Sequence, residues 1–248
     1  SSYFINIFNQ NKDYFLVLKG IDTAETACEY YRAIGAIQEH CGDLRHSASG
    51  FFFRSDSAIP VGIKLDCSPL AGAKTPCVDW KEMNGLKNPN HVRVAYFNAV
   101  DLGFGRAMHG TTSTIRGVEN TAYYVCNYPS LSGAINSQEP DQGAVACVAF
   151  DYSTARGFTR LYVFKPFRRC CNLPDIFALA ASAALDNAGE KFVPGLCKAC
   201  HGSNSLHESP SSSFPGPGDD EATGNVGVKF LPFDLDNFDY DVNDFSRS

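Results

Sequence analysis

The run Ala144-Val145-Ala146-Cys147-Val148-Ala149-Phe150-Asp151-Tyr152, followed after a short turn by Phe158-Thr159-Arg160-Leu161-Tyr162-Val163-Phe164, decides the fold class. Both stretches are rich in branched and aromatic residues, which suit a pleated, half-buried surface. Val92 to Phe97 and Thr121 to Asn127 carry the same chemistry, with turn residues between the segments. Strands at this spacing predict an antiparallel sheet, and with the helices read below the expected class is α+β.

Towards the N-terminus, Tyr3 to Phe8 and Tyr14 to Leu18 read as a hairpin around Asn9 to Asp13. Asp22 with Glu25 resembles a capping box, and Ala24, Ala27, Cys28, Tyr31 and Ile34 share one helical face, which predicts a helix over residues 23 to 38. Short strands are expected at Gly50 to Arg54 and Val61 to Leu65. A second helix is expected across Val78 to Met83, ending near Asn84-Gly85. Beyond the sheet, the alanine-rich run Pro174 to Asn187 predicts a helix, with Pro174 at its first turn and Gly189 as its stop. Residues 202 to 224 are rich in Ser, Gly and Pro and read as a loop ordered by contacts with something else.

With 248 residues and 44% hydrophobic content, the chain can bury a substantial core. The net charge of -6, without a run of Lys or Arg, argues against nucleic acid as a ligand. Ile176 to Leu185 is the longest strongly apolar stretch and is about half of the roughly 20 residues that a membrane span requires. The ten cysteines, Cys28, Cys41, Cys67, Cys77, Cys126, Cys147, Cys170, Cys171, Cys197 and Cys200, point to an oxidising compartment, periplasmic or extracellular. No segment has the charged start and apolar stretch of an export signal, so the exported chain is expected to be seen in processed form.

Cys197-Lys198-Ala199-Cys200-His201 is the C-x-x-C-H haem-attachment pattern. Two thiols one turn apart can bond the two vinyl groups of one porphyrin, and the following imidazole can ligate the iron. A thioredoxin-like redox pair, half of a zinc site, and two structural disulfide cysteines are the competing readings. Zinc would want another close Cys or His pair, and adjacent Cys170-Cys171 has the wrong spacing. With Cys197 and Cys200 bonded to haem, eight cysteines remain and permit four disulfides, whose pairing the spacing does not give.

Three further segments carry a resemblance. Tyr96-Phe97-Asn98-Ala99-Val100-Asp101-Leu102-Gly103-Phe104-Gly105-Arg106-Ala107-Met108-His109, then Phe192 to Gly202, and Gly227-Val228-Lys229-Phe230-Leu231-Pro232-Phe233-Asp234-Leu235-Asp236 resemble a poorly characterised family of secreted bacterial mono-haem c-type cytochromes. Trp80 to Gly85 and Asp151-Tyr152-Ser153 are similar too. The likeness spans roughly residues 78 to 240, and it implies one covalent haem c in a C-terminal haem-binding segment. The chain then divides into an N-terminal extension with a hairpin and a helix, residues 1 to 75, and a cytochrome domain, residues 76 to 248. Gly110 and Tyr123 stand where that family usually has cysteines, which implies a lost disulfide, offset by a pair elsewhere such as one using Cys126.

A low-spin electron carrier needs a second axial ligand, usually Met or His. The Gly103 to His109 segment offers both side by side, and His109 is preferred to Met108. The competing reading has His109 capping a turn and Met108 filling core. Arg106 suits a haem propionate in two-point geometry, or an ordinary ion pair. His40, His46, His91 and His207 read as surface or turn residues. The C-terminal Asp234, Asp236, Asp239, Asp241 and Asp244 invite calcium, but they alternate with aromatic residues and lack the EF-hand glycine and glutamate, so an extended segment is expected.

The first functional expectation is one-electron transfer with redox protein partners. A haem enzyme, peroxidase-like or a small-molecule oxidase, is the second. The third is a structural subunit of an extracellular assembly or filament, a homo-oligomer joined through the Tyr3 to Phe8 strand.

Overall fold

In the computed structural model the described residues are 22–61, 76–88, 90–97, 103–137, 141–167, 176–185, 189–202, 213–230 and 239–240. The expected strands at Tyr3 to Phe8 and Tyr14 to Leu18, nearly all of Val61 to Leu65, His207, and the Asp-rich segment apart from 239–240 lie outside them.

The chain runs α1 (Ala24–Ala33), β1 (Leu44–His46), β2 (Phe52–Arg54), α2 (Pro76–Met83), β3 (Val92–Phe97), β4 (Gly105–Ile115), β5 (Val118–Tyr128), α3 (Leu131–Asn136), β6 (Ala146–Ser153), β7 (Thr159–Phe167), β8 (Ile176–Leu179), β9 (Ser182–Ala183), β10 (Lys191–Phe192), α4 (Gly195–His201) and β11 (Asp239–Tyr240). Its centre is an antiparallel sheet with strands in the order β11-β3-β4-β5-β6-β7-β8, flanked by the two-stranded pairs β1-β2 and β9-β10. The α+β expectation and the strands read around residues 92, 121, 144 and 158 stand.

Three expectations are corrected. Helix α1 stops at Ala33 rather than 38, because Gly35 adopts φ +78° and the amide of Ala36 turns back to the Tyr31 carbonyl at 2.7 Å. Its capping box joins Thr23 and Thr26, not Asp22 and Glu25. The described part of the Pro174 to Asn187 run contains no helix: it forms β8 and β9, every residue of which is buried. Alanine favours a helix locally, but β8 completes the ladder beside β7, with Leu179 opposite Phe164, and tertiary burial overrides propensity. The glycine-containing segment around residue 105 opens the long strand β4, which pairs along its whole length with β5.

Cysteine pairing is also resolved in part. Cys28 bonds Cys41 and Cys126 bonds Cys147, so the expected pair using Cys126 exists. Cys77 retains its thiol, which rules out four disulfides among the eight cysteines outside the C-x-x-C motif. It is fully buried on α2, where its thiol donates to the Tyr124 hydroxyl at 3.7 Å. Cys67, Cys170 and Cys171 fall outside the described residues.

The boundary read near residue 75 falls outside the described residues, and side chains from both sides of it enter one buried apolar cluster. The Tyr30 and Tyr31 hydroxyls from α1 accept the Leu161 and Val163 amides of β7 at 2.8 and 3.1 Å, and Tyr31 donates to the Ala180 carbonyl. Each of these bonds satisfies a backbone group of β7 or of the bridge residue Ala180 beside β8.

Candidate functional site

Strand alternation gives the sheet two unlike faces. On one, α2 packs Trp80 against Tyr124, Tyr162 and Phe164 with ring centroids 5.9 to 6.3 Å apart. Asp151, wholly buried there, accepts Trp80 Nε1 at 3.0 Å, Arg156 at 2.8 Å and two nitrogens of Arg160 at 2.7 and 2.9 Å.

The other face carries two cross-strand rows of nearly continuous apolar character. In register they are Val94, Met108, Val125, Val148 and Val163, and beside them Val92, Gly110, Tyr123, Phe150 and Leu161. Val94, Met108, Val125 and Val148 are only half-buried, so the middle of this face is apolar yet accessible. Gly110 is required in the second row: a Cβ there would lie 2.7 Å from the Tyr123 ring, which occupies that volume. Gly110 and Tyr123 are direct cross-strand partners, a glycine and the aromatic ring that covers it.

Helix α4 stands at the edge of this floor and carries the C-x-x-C-H motif. At 3.6 residues per turn, Cys197, Cys200 and His201 project within an arc of about 100°. Its start is held by Asp22, whose carboxylate accepts the Gly195 amide at 2.6 Å and the Phe214 amide at 2.7 Å. Burial pushes the Asp22 carboxyl above its ordinary range, against the opposing pull of the Phe214 amide and the Lys198 charge. Lys198, 2% exposed, pairs with Asp219 at 2.9 Å, and Asp219 also accepts the Gly216 amide. The Ser/Gly/Pro-rich stretch is thus ordered, where it is described, by contacts with α1 and α4.

His201 closes the site. Its ring lies 4.5 Å from that of Phe150, and Phe230 packs on both Phe150 and Tyr123. Its Nδ1 meets the Lys229 carbonyl at 3.1 Å, while the Lys229 amide donates to the His201 carbonyl at 3.2 Å. A carbonyl only accepts, so Nδ1 carries the proton in this contact, the tautomer that second-shell bonds impose on metal-ligating histidines.

The structure separates the two residues read as alternative distal ligands. Met108 projects onto the His201 face, and so does Arg106, whose guanidinium sits 5.8 Å over the Tyr96 ring. His109 projects to the opposite face beside Tyr124, so the two candidates do not share a side of the sheet. His91 lies in the turn before β3, as expected, where its Nδ1 donates to the Asn88 carbonyl and its Nε2 therefore accepts from His109 Nδ1 at 2.7 Å. His109 is 4% exposed, and its Nε2 has no hydrogen-bond partner among the described residues.

Burial, with the neighbouring His91 ring and the Arg93 and Lys81 charges adding to it, lowers the His109 pKa from 6.5 to about 3. The unfolded chain then binds the proton between these values and the folded one does not, so His109 favours the fold fully above pH 6.5 and progressively less as pH falls towards 3. Unfolding temperatures across that window should fall towards acid, and His109→Gln should flatten the fall. An unchanged slope in the variant would assign the acid limb to other groups.

What the sequence missed is the support: Asp22, Asp219, Lys229 and Phe150 lie 18 to 179 residues from Cys197, Cys200 and His201, and no local pattern announces them. Among the described residues no group of three or more His, Cys, Asp or Glu is placed to hold a bare metal ion. Searches of protein-family models, curated proteins and solved structures found no match for the chain.

Proposed function

We propose that this chain is a secreted mono-haem c-type cytochrome that passes single electrons to and from redox protein partners. Haem c would be held by thioether bonds to Cys197 and Cys200, with His201 as the proximal iron ligand and Arg106 as a propionate partner. The observation that carries the reading is the Lys229 carbonyl on His201 Nδ1, which fixes the tautomer with Nε2 as the acceptor beside an apolar, half-open floor. Two thiols and an imidazole on one helix supply the donor chemistry that a covalent porphyrin requires.

The bound group supplies the Fe(III)/Fe(II) couple, and the chain's part is to place and tune it. Cys197 and Cys200 anchor it on one turn of α4, which Asp22 and the Lys198–Asp219 pair hold against the sheet. The Lys229 carbonyl makes His201 a stronger donor. Val125, Val148 and Phe150 would give the group an apolar floor, and the polarity of that surface is one lever on the couple. An extracytoplasmic location is supported by the two disulfides, and no helix among the described residues is long and apolar enough to cross a membrane.

The test is intact mass and reduced-minus-oxidised spectra of protein made in a host with haem-attachment machinery. Wild type should gain the mass of one haem and show a c-type spectrum, and Cys197→Ser with Cys200→Ser should lose both. Colourless wild-type protein with two titratable thiols in that motif would overturn the reading.

A further inference from the structure

We propose that Lys198 and Asp219 condense into an intramolecular isopeptide bond, an amide from Lys198 Nζ to Asp219 Cγ that staples α4 to the loop at residues 213–219. Lys198 lies inside the C-x-x-C motif but is 2% exposed, so the bond is independent of haem attachment. Its Nζ stands 2.9 Å from Asp219 Oδ2, and the two side chains are 3% and 0% exposed. A carbon–oxygen bond of about 1.23 Å then puts Nζ within about 4 Å of Cγ.

Both reactants are held in place. The Asp219 amide donates to the Gly216 carbonyl at 2.9 Å and the Gly216 amide to Asp219 Oδ2 at 3.0 Å, which fixes the carboxyl on its turn. Asp22 ties the start of α4 to the same loop through the Gly195 and Phe214 amides. Asp219 Oδ1 is buried with no hydrogen-bond partner among the described residues. An oxygen left bare costs more on a carboxylate than on a neutral amide, so condensation relieves it.

The step balances without a co-reactant. A proton crosses the hydrogen bond from Nζ to Oδ2, which leaves a free amine and a neutral acid. The amine lone pair attacks Cγ, the Nζ–Cγ bond forms and the Cγ–Oδ2 bond breaks. Of the three ammonium protons, two depart with Oδ2 as water and one stays on the amide nitrogen, so nothing is oxidised or reduced. Two buried charges become one neutral amide, which removes the desolvation cost of the pair. Fixed neighbours of this kind reach effective concentrations on the order of 10⁵ M. Substituting Asp219 removes the ion pair and the bond together.

Trypsin reads the bond directly. Lys191, Lys198 and Lys229 bound two tryptic peptides with no other Lys or Arg inside them, and an acylated Lys198 is not cut. Disulfides are first reduced and thioethers cleaved with a silver salt, so that neither can hold the pieces together. Wild type should then release residues 192–229 as one peptide, lighter than its sequence by one water, about 18 Da, with fragments that place the link between residues 198 and 219. Lys198→Arg keeps a cation for Asp219 but does not acylate, and should release 192–198 and 199–229 separately at full mass. Wild type that yields the two separate peptides overturns the proposal, as does a water loss located on Asp219 alone, the mark of a cyclic imide. Either result leaves the haem reading untouched, and a colourless protein leaves the isopeptide bond untouched.

Discussion

Asp151→Ala is expected to destabilise the protein by about 3–5 kcal/mol, read as a lower denaturant midpoint at unchanged slope. The carboxylate is 0% exposed and is the meeting point of Arg156, Arg160, Trp80 Nε1 and, at 3.5 Å, Asn84. Removing it strands two guanidinium groups that are themselves largely covered, and unpairs an indole N–H beneath α2. The loss comes mainly from donors left without an acceptor in a low dielectric, so the effect should greatly exceed that of a surface ion pair such as Lys87–Glu82, which is worth about 0–1 kcal/mol. Asp151→Asn retains an acceptor oxygen but drops the charge, so it should fall between wild type and alanine. A loss under about 1 kcal/mol for Asp151→Ala would mean that water or rearranged side chains replace the carboxylate, and the hub would carry little energy.

Asp219→Ala should have a comparable effect, about 3–5 kcal/mol, concentrated on the helix that bears the cysteines. Lys198 and Asp219 have side-chain exposures of 3% and 0%, so deleting the acid leaves a buried ammonium unpaired and frees the Gly216 amide. Hydrogen exchange should therefore rise in residues 195–201 and 214–219 more than in β5 and β6. The double substitution Lys198→Met with Asp219→Leu separates causes: if the single loss reflects an uncompensated charge, an apolar pair of similar volume should recover most of it. A double variant as unstable as the single one would show that the geometry of the ion pair itself, rather than charge burial, holds α4 in place.

Much of the fold was legible because its signals are local. Branched and aromatic runs at residues 92–97 and 146–153 became β3 and β6, and the positions of Cys197, Cys200 and His201 on one helical turn follow from spacing alone. Where the reading failed, a non-local contact decided. Ile176 to Ala183 has helical propensity, yet it lies buried in two short strands. Met108 and His109 are neighbours in a segment not read as a strand, so no alternation is available to separate them.

By itself the sequence determined the antiparallel class and the chemistry available at residues 197 to 201, since both depend on residues adjacent in the chain or within one turn. The tertiary structure alone decided which face of the sheet serves His201, because pairing β4 with β5 in one register sends Met108 towards it and His109 away, and a slip of one residue would exchange them. It also brought Asp22, Asp219 and Lys229 to the motif, joining side chains and carbonyls whose separation in the chain hides them until the core closes.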